Sequence, residues 1–294
     1  GASNDVLWRT TLERHLVANL YDLPEFKRFA RFVSSALLRH SAHTRRLHAA
    51  DRRPFPRPSA GTPWPPLEAK GGVLLALPGG AWQVQVDHLR IDADGTPNAY
   101  HPDNTSGLDD PANAGWSSDP SKRKHWWPSV LVADPSDPTE PAHLKRPYIQ
   151  PSGEFAGFFV SQTALADGTK ARTDVRRYLD ARKVPYVVMP RAVHAAKGTG
   201  TLGDLAAVRC LSNGRVCAAV VGDIGPDDHG MGEVSIALAQ ALAGQAVNAR
   251  NGSGQAPGPY QIVVFPRSRL TPAWPVDAAQ VEARVVGLMV DLNE

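Results

Sequence analysis

Asn213-Gly214, set between two apolar runs, constrains the fold of this chain more than any other feature. The runs are Leu205 to Cys210 and Val216 to Val221, with a Ser-Asn-Gly-Arg turn between them. A type I′ turn needs positive φ at both central residues, which Asn and Gly supply most readily, so the stretch reads as a β-hairpin. A two-residue turn at Asn213-Gly214 places Cys210 opposite Cys217 and Asp204 opposite Asp223.

Two carboxylates across one hairpin are a costly arrangement, because like charges directly opposite destabilise a sheet. If the pair is buried, one member should have a raised pKa. Glu233 follows at the start of GEVSIALAQALAG, which reads as a short apolar helix ended by Gly244. Asp204, Asp223 and Glu233 are thus raw material for general acid/base chemistry. Two plainer readings stay open: Asp after Gly at a strand end is common turn chemistry, and Glu in a first helical turn complements the helix dipole.

The same register would allow a Cys210–Cys217 disulfide by distance, although these residues fall at a hydrogen-bonded pair, the less comfortable place for a cross-strand bridge. Two buried thiols are the alternative. With Pro 26 and Gly 25 in 294 residues, loops and short strands are expected rather than a helical bundle. A net charge of +3 is too small to argue for nucleic acid, and no nucleic-acid motif or Gly-rich phosphate loop appears. No run of apolar residues is long enough to span a membrane. The chain begins Gly-Ala-Ser and its start reads as a processed end, so the expectation of a secreted or exported protein rests on other grounds.

Residues 1–53 read as a helical segment, with Phe26, Phe29, Phe32 and Val33 on one side of its second half. His40, His43 and His48 lack the spacing of a metal site, and no metal or cofactor is expected. The Pro-rich stretch 54–69 reads as a linker, and 70–294 as the catalytic domain. There, Val73 to Leu77 and Trp82 to Val86 form a hairpin around Pro-Gly-Gly, and 147–165 reads as a strand entering the core. Thr173 to Arg182 is a short helix capped by Thr173. Val184 to Pro190 and Tyr260 to Phe265 are strands, and Asp277 to Leu288 a closing helix. Asp92, Asp94 and Gly95 suggest a calcium loop, but Pro97 and Asp103 stand where an EF-hand needs Gly and Glu; Asx turns are preferred. Trp116, Trp126 and Trp127 either stack on pyranose rings or pack their own loop. Gln150 and Glu154 lie at a loop end from which they can line a site.

The segments GDLAAV, VVGDIGP and GEVSIALAQAL resemble the core of the glycoside hydrolase family 75 chitosanases. The phrases around PNAYHPD, GLDDPANAG and PYIQPSGEFAGFFVSQTAL resemble the same family, so that the likeness runs over roughly residues 72–266. It implies a mainly β, α+β fold, a double-psi-like β-barrel. It also implies an endo-acting β-1,4-glycan hydrolase that inverts, with Asp223 and Glu233 as the essential acids. Glu233 is the expected general acid and Asp223 the base, with exchange of the two roles open; Asp204 would act as a helper. Trp116, Trp126, Trp127, Tyr100 and Glu154 are the expected substrate-binding residues. The substrate is either chitosan, a polycation, or peptidoglycan, whose carboxylates suit a net-positive chain. The second option implies a muramidase-type antibacterial effector with a secretion-system or immunity partner. A non-catalytic glycan-binding module is a third reading, against which the intact acids argue.

Overall fold

The computed structural model describes residues 73–292, so the expected N-terminal helical segment and Pro-rich linker lie outside the described residues. The strands are β1 (Leu75–Ala76), β2 (Trp82–Val86), β3 (Arg90–Asp92), β4 (Tyr186–Pro190), β5 (Leu205–Cys210), β6 (Val216–Gly225), β7 (Glu233–Ser235) and β8 (Tyr260–Phe265). They form one sheet in the order β1-β2-β8-β5-β6-β4-β7-β3. The pairs β3–β7 and β4–β6 are parallel and the others antiparallel. Among the described residues three helices accompany it: α1 (Arg191–Ala195), α2 (Ile236–Ala243) and α3 (Ala278–Asp291). The architecture is mainly β, of the α+β class. Among the described residues, no helix is long and apolar enough to cross a membrane.

The apolar runs of β5, β6 and β8 are continuous because the sheet is covered on both faces, which removes the usual polar alternation. Leu205, Ala207, Val263 and Phe265 point into one core with Val281 and Val285 of α3. Ala206, Val208, Ile262 and Val264 point into the other with Leu238 and Leu242 of α2. Each fully buried Val, Leu or Ile contributes about 1.5–3 kcal/mol by leaving water. Helix α2 starts where Ser235 Oγ accepts from Leu238 N and stops at Gly244, whose φ of 73° suits a left-handed cap. Asp277 Oδ1 accepts from Ala279 N and Gln280 N and starts α3.

The hairpin register differs from the sequence expectation. Val208 pairs with Cys217 and Leu205 with Val220. Cys210 and Arg215 close the loop through Cys210 N to Arg215 O, and Gly214 N donates to Cys210 O. Gly214 has positive φ, at 77°, but Asn213 does not, so a type I′ turn does not form. Asn213 Oδ1 instead accepts from Arg215 N, and its Nδ2 reaches Leu242 O at the end of α2. This tertiary tie outweighs the local turn preference. Asp204 therefore pairs beside Val221, not opposite Asp223, and Cys210 and Cys217 are buried free thiols.

Three further expectations change. Glu233 opens strand β7 rather than helix α2, since the parallel pairing Arg90↔Glu233 extends the chain as far as Ser235. The expected helix at Thr173 to Arg182 contracts to a single 3-10 turn, Val175–Arg177, capped by Asp174 rather than Thr173. The Asp180 side chain starts another turn by accepting from Arg182 N; such local bonds compete with helix continuation. Residues 147–165 make isolated bridges, Leu131↔Ser161, Ala133↔Pro147 and Ile149↔Phe159, rather than a strand. Pro147 and Pro151 bring no N–H to a ladder.

Candidate active site

A bulge carries Asp223 to the site. Along β6, Val221 pairs with Val187 of β4, but the next pair is Asp223 with Val188, so Gly222 is the extra residue. Val187 and Val221 face the core shared with α2, whereas Val188 faces the other. The skipped residue thus moves Asp223 across the sheet, away from the face that strict alternation would give it. Only glycine fits there: a Cβ on Gly222 would lie 2.6 Å from Tyr186 Cβ.

Asp223 lines a cavity of about 820 Å³ together with Asp92, Asp94, Tyr100, Trp126 and Glu233. Its Oδ1 accepts two backbone bonds, from Ala164 N at 2.9 Å and Ile224 N at 2.7 Å. Among the described residues no such bond engages Oδ2, which is left to the cavity. Burial first, with a smaller push from the charge of Glu233, holds the Asp223 carboxyl up to about 7 against the two amide bonds. Glu233 enters from β7, one residue ahead of the Val187↔Val234 contact. Gly225 makes room for it, since a Cβ there would stand 3.1 Å from Glu233 Oε2. His229 Nδ1 lies 3.4 Å from the same oxygen.

Asp92 and Asp94 come from the end of β3 and the turn after it. Asp94 N donates to Asp92 Oδ1 at 2.7 Å, the Asx turn expected from sequence. Asp94 Oδ1 accepts from Tyr100 and Ser161 hydroxyls, each at 2.9 Å. Tyr186 donates to the Asp94 carbonyl at 3.1 Å. Both carboxyls are held well above the usual range, first by burial and then by neighbouring carboxylates, Asp94 for Asp92 and Asp223 for Asp94. Oxygens of Asp92, Asp94 and Asp223 lie within 4.8 Å of one another. That spacing would admit a cation, but the burial of the three acids is equally met by bound protons, since like charges this close do not all ionise.

The other expected site residues divide. Asp204 is 1 % exposed and lies outside this cavity. Its oxygens accept from Thr201 N and Arg269 N, fastening the loop before β5 to the segment after β8. Trp126 is 49 % exposed on the cavity wall, its ring against Gly115. Trp127 is fully buried and donates to His143 O, and Trp116 packs edge-on against it with ring centroids 5.2 Å apart. Glu154 is exposed away from the cavity lining, and Gln150 braces Pro97 O and Phe159 O from a buried position. The sequence reading did not place Asp92, Asp94, Ser161 or His229 at the site. Asp92 and Asp94 were visible only as turn formers, and His229 only as a residue four before Glu233.

A family model described as fungal chitosanase of glycosyl hydrolase group 75 matches residues 150–286. This match supports a glycoside hydrolase family 75 assignment. The protein is accordingly an enzyme, a glycan hydrolase with chitosanase-like activity. The matched family 75 segment contains Asp223 and Glu233, while Asp92, Asp94, Tyr100 and Trp126 precede it. No curated protein matches the chain.

Proposed function

We propose that the protein is an endo-acting, inverting hydrolase of a cationic β-1,4-glycan, with Asp223 as general acid and Glu233 as general base. The observation that carries this reading is the cavity, where a carboxyl with one unbonded oxygen and a raised pKa lies with a second carboxyl beside an imidazole. Asp223 Oδ2 carries the proton and gives it to the glycosidic oxygen as the bond from that oxygen to the anomeric carbon breaks. Glu233 removes a proton from a water whose oxygen bonds the anomeric carbon from the opposite face, so the configuration inverts. This reverses the order of roles favoured from sequence, because the deeper carboxyl is the one that burial keeps protonated up to about pH 7. We retain the double-psi barrel as the proposed closure of the sheet, on the parallel pairs β3–β7 and β4–β6.

The lining favours an amino-sugar polymer. It includes Asp92, Asp94, Asp109, Asp223, Asp228 and Glu233, against guanidinium groups from Arg90, Arg191 and Arg250. Arg250 is spent on the carbonyls of Asn104, Gly107 and Asp109. Carboxyl oxygens accept hydrogen bonds from the ammonium groups of chitosan whether or not the acid is ionised, whereas the carboxylates of peptidoglycan would meet a wall of acids. Secretion or export follows from a polymeric substrate as part of this proposal. Chitosan and purified peptidoglycan assayed side by side test the reading, with the anomeric form of the first product followed by NMR. Turnover of chitosan with inversion is expected. Turnover of peptidoglycan alone, or retention of configuration, would overturn it.

A further inference from the structure

The geometry points to His229 as a positioning residue that aims the Glu233 carboxylate as the base and gives it a counter-charge. This rests on the acid/base reading above and deepens it. An inverting pair must hold one proton, not two, yet both carboxyls share one cavity with Asp92 and Asp94. Burial and mutual repulsion favour the neutral forms of Asp92, Asp94 and Asp223, so something must mark Glu233 as the base.

His229 supplies that asymmetry. Among the described residues it makes the ion-pair contact with Glu233, Nδ1 to Oε2 at 3.4 Å, with the imidazole 40 % exposed and the carboxylate 19 %. Among the described residues Asp223 makes no ion pair and receives backbone amides from Ala164 and Ile224. The other cations on the wall are engaged or set differently. Arg250 is held by carbonyls, and the Arg90 guanidinium donates to the carbonyl of His229 itself. Arg191 begins α1 on the same wall.

The imidazole is delivered by a pinned turn. Residues Asp227–His229 form one 3-10 turn. Asp227 Oδ1 accepts from Ala192 N, Arg90 grips the His229 carbonyl, and Arg90 N donates to Gly232 O at 2.9 Å. Gly230 and Gly232 take φ of 64° and 115°, which lets the chain double back from the turn into β7. The groups facing the imidazole are Glu233 from β7, Arg90 from β3 and Asp228 from its own turn. The bond to Glu233 raises its pKa, while partial burial and Arg90 lower it; the net direction is upward. His229 is therefore a cation in the acidic range where the base must stay ionised.

The test uses the full chain on soluble glucosamine oligomers, with kcat and KM measured across pH and thermal melting alongside. For His229→Ala, kcat at neutral pH should fall about tenfold with KM within about twofold. The acid limb of the kcat profile should move up by about one pH unit, as expected when an opposite charge leaves a carboxylate's side. His229→Lys, which keeps a cation, should hold the limb near its original position. His229→Gln, which keeps the volume without the charge, should repeat the alanine shift and serves if the alanine variant does not fold. An unmoved acid limb in the folded Ala or Gln variant overturns the inference. Glu233→Gln separates the two levels. If it is inert while the His229 variants keep the original profile, only the role of His229 falls. If it turns over normally, the acid/base reading falls and takes the inference with it.

Discussion

Asp204, just before β5, and Asp223, on the neighbouring strand β6, are nearly buried at 1 % and 9 % exposure, and each accepts two backbone N–H bonds. They differ in how the bonds are spent. Asp204 uses one oxygen for Thr201 N and the other for Arg269 N, so both lone-pair sets are committed to joining two loops. Asp223 takes both bonds on Oδ1, which fixes the carboxyl plane and leaves Oδ2 for the cavity. The same residue, equally buried, is a fastener in one place and a proton donor in the other. Burial and bond number do not distinguish them; the distribution of bonds between the two oxygens does.

Breaking each in turn should give opposite signatures. Asp223→Asn should lower kcat by about 10²- to 10⁴-fold, the usual worth of a positioned acid, with melting no lower than the parent's. Asp204→Asn should keep kcat within a few-fold per folded molecule but lose about 1–3 kcal/mol of stability, because an amide cannot accept on its nitrogen and leaves one of the two N–H donors facing an N–H of its own kind beside a buried side chain. Kinetics and urea melts of the two variants check this. An Asp204→Asn enzyme that melts normally and is inert would collapse the distinction.

A pH series sharpens the contrast. The folded-state pKa of Asp223 is raised from 3.8 to about 7. A raised carboxyl favours the fold while it is protonated, so its contribution is intact below the unfolded value and is lost as pH rises through about 7. Asp223→Asn removes the cost of ionising a buried acid, and above pH 8 it should be more stable than the parent by up to roughly 4 kcal/mol. The rate should follow the same group, falling as pH rises through about 7 as the acid deprotonates. Melting curves at pH 5 and above pH 8, with a kcat profile, measure both. A variant that gains nothing at high pH would mean Asp223 is not held neutral.

Strands β2, β4, β5, β6 and β8 and helices α2 and α3 were legible because continuous apolar runs and Gly or Asp punctuation signal them locally. The register of the hairpin was not, because Asn213 is held by the end of α2, a partner 29 residues away that no turn rule contains. Asp223 and Glu233 were legible as motif residues, and the cavity does bring them together. Asp94 was not, because an Asx turn looks the same in sequence whether it faces water or a cavity. Its neighbours there, Tyr100 and Ser161, come from loops with almost no regular structure. The bulge at Gly222 was equally silent: a glycine inside a strand is a weak signal until Tyr186 is seen lying against it.

The tryptophans offer the smallest and most local test of what separates a fastener from a working group. Trp127 has no exposed surface and ties its Nε1 to His143 O, and Trp116 lies edge-on against it. Trp126 turns the other way. Its ring rests on Gly115, where a Cβ would come within 2.9 Å of Cζ3 and where φ is 71°, so the glycine is both a turn and a seat. The outer ring face, on the cavity wall, offers an apolar platform to a pyranose ring. If that platform holds substrate without touching the reacting bond, its removal weakens ground and transition states alike, and KM rises while kcat holds. Trp126→Ala should therefore raise KM by about three- to tenfold, the worth of one aromatic contact, with kcat and melting nearly unchanged. Gly115→Ala should push the ring off its seat and give the same KM effect with an added loss of stability from the strained φ. Parallel kinetics on short and long glucosamine oligomers check the point. An unchanged KM for Trp126→Ala on every length would make the exposed ring a bystander.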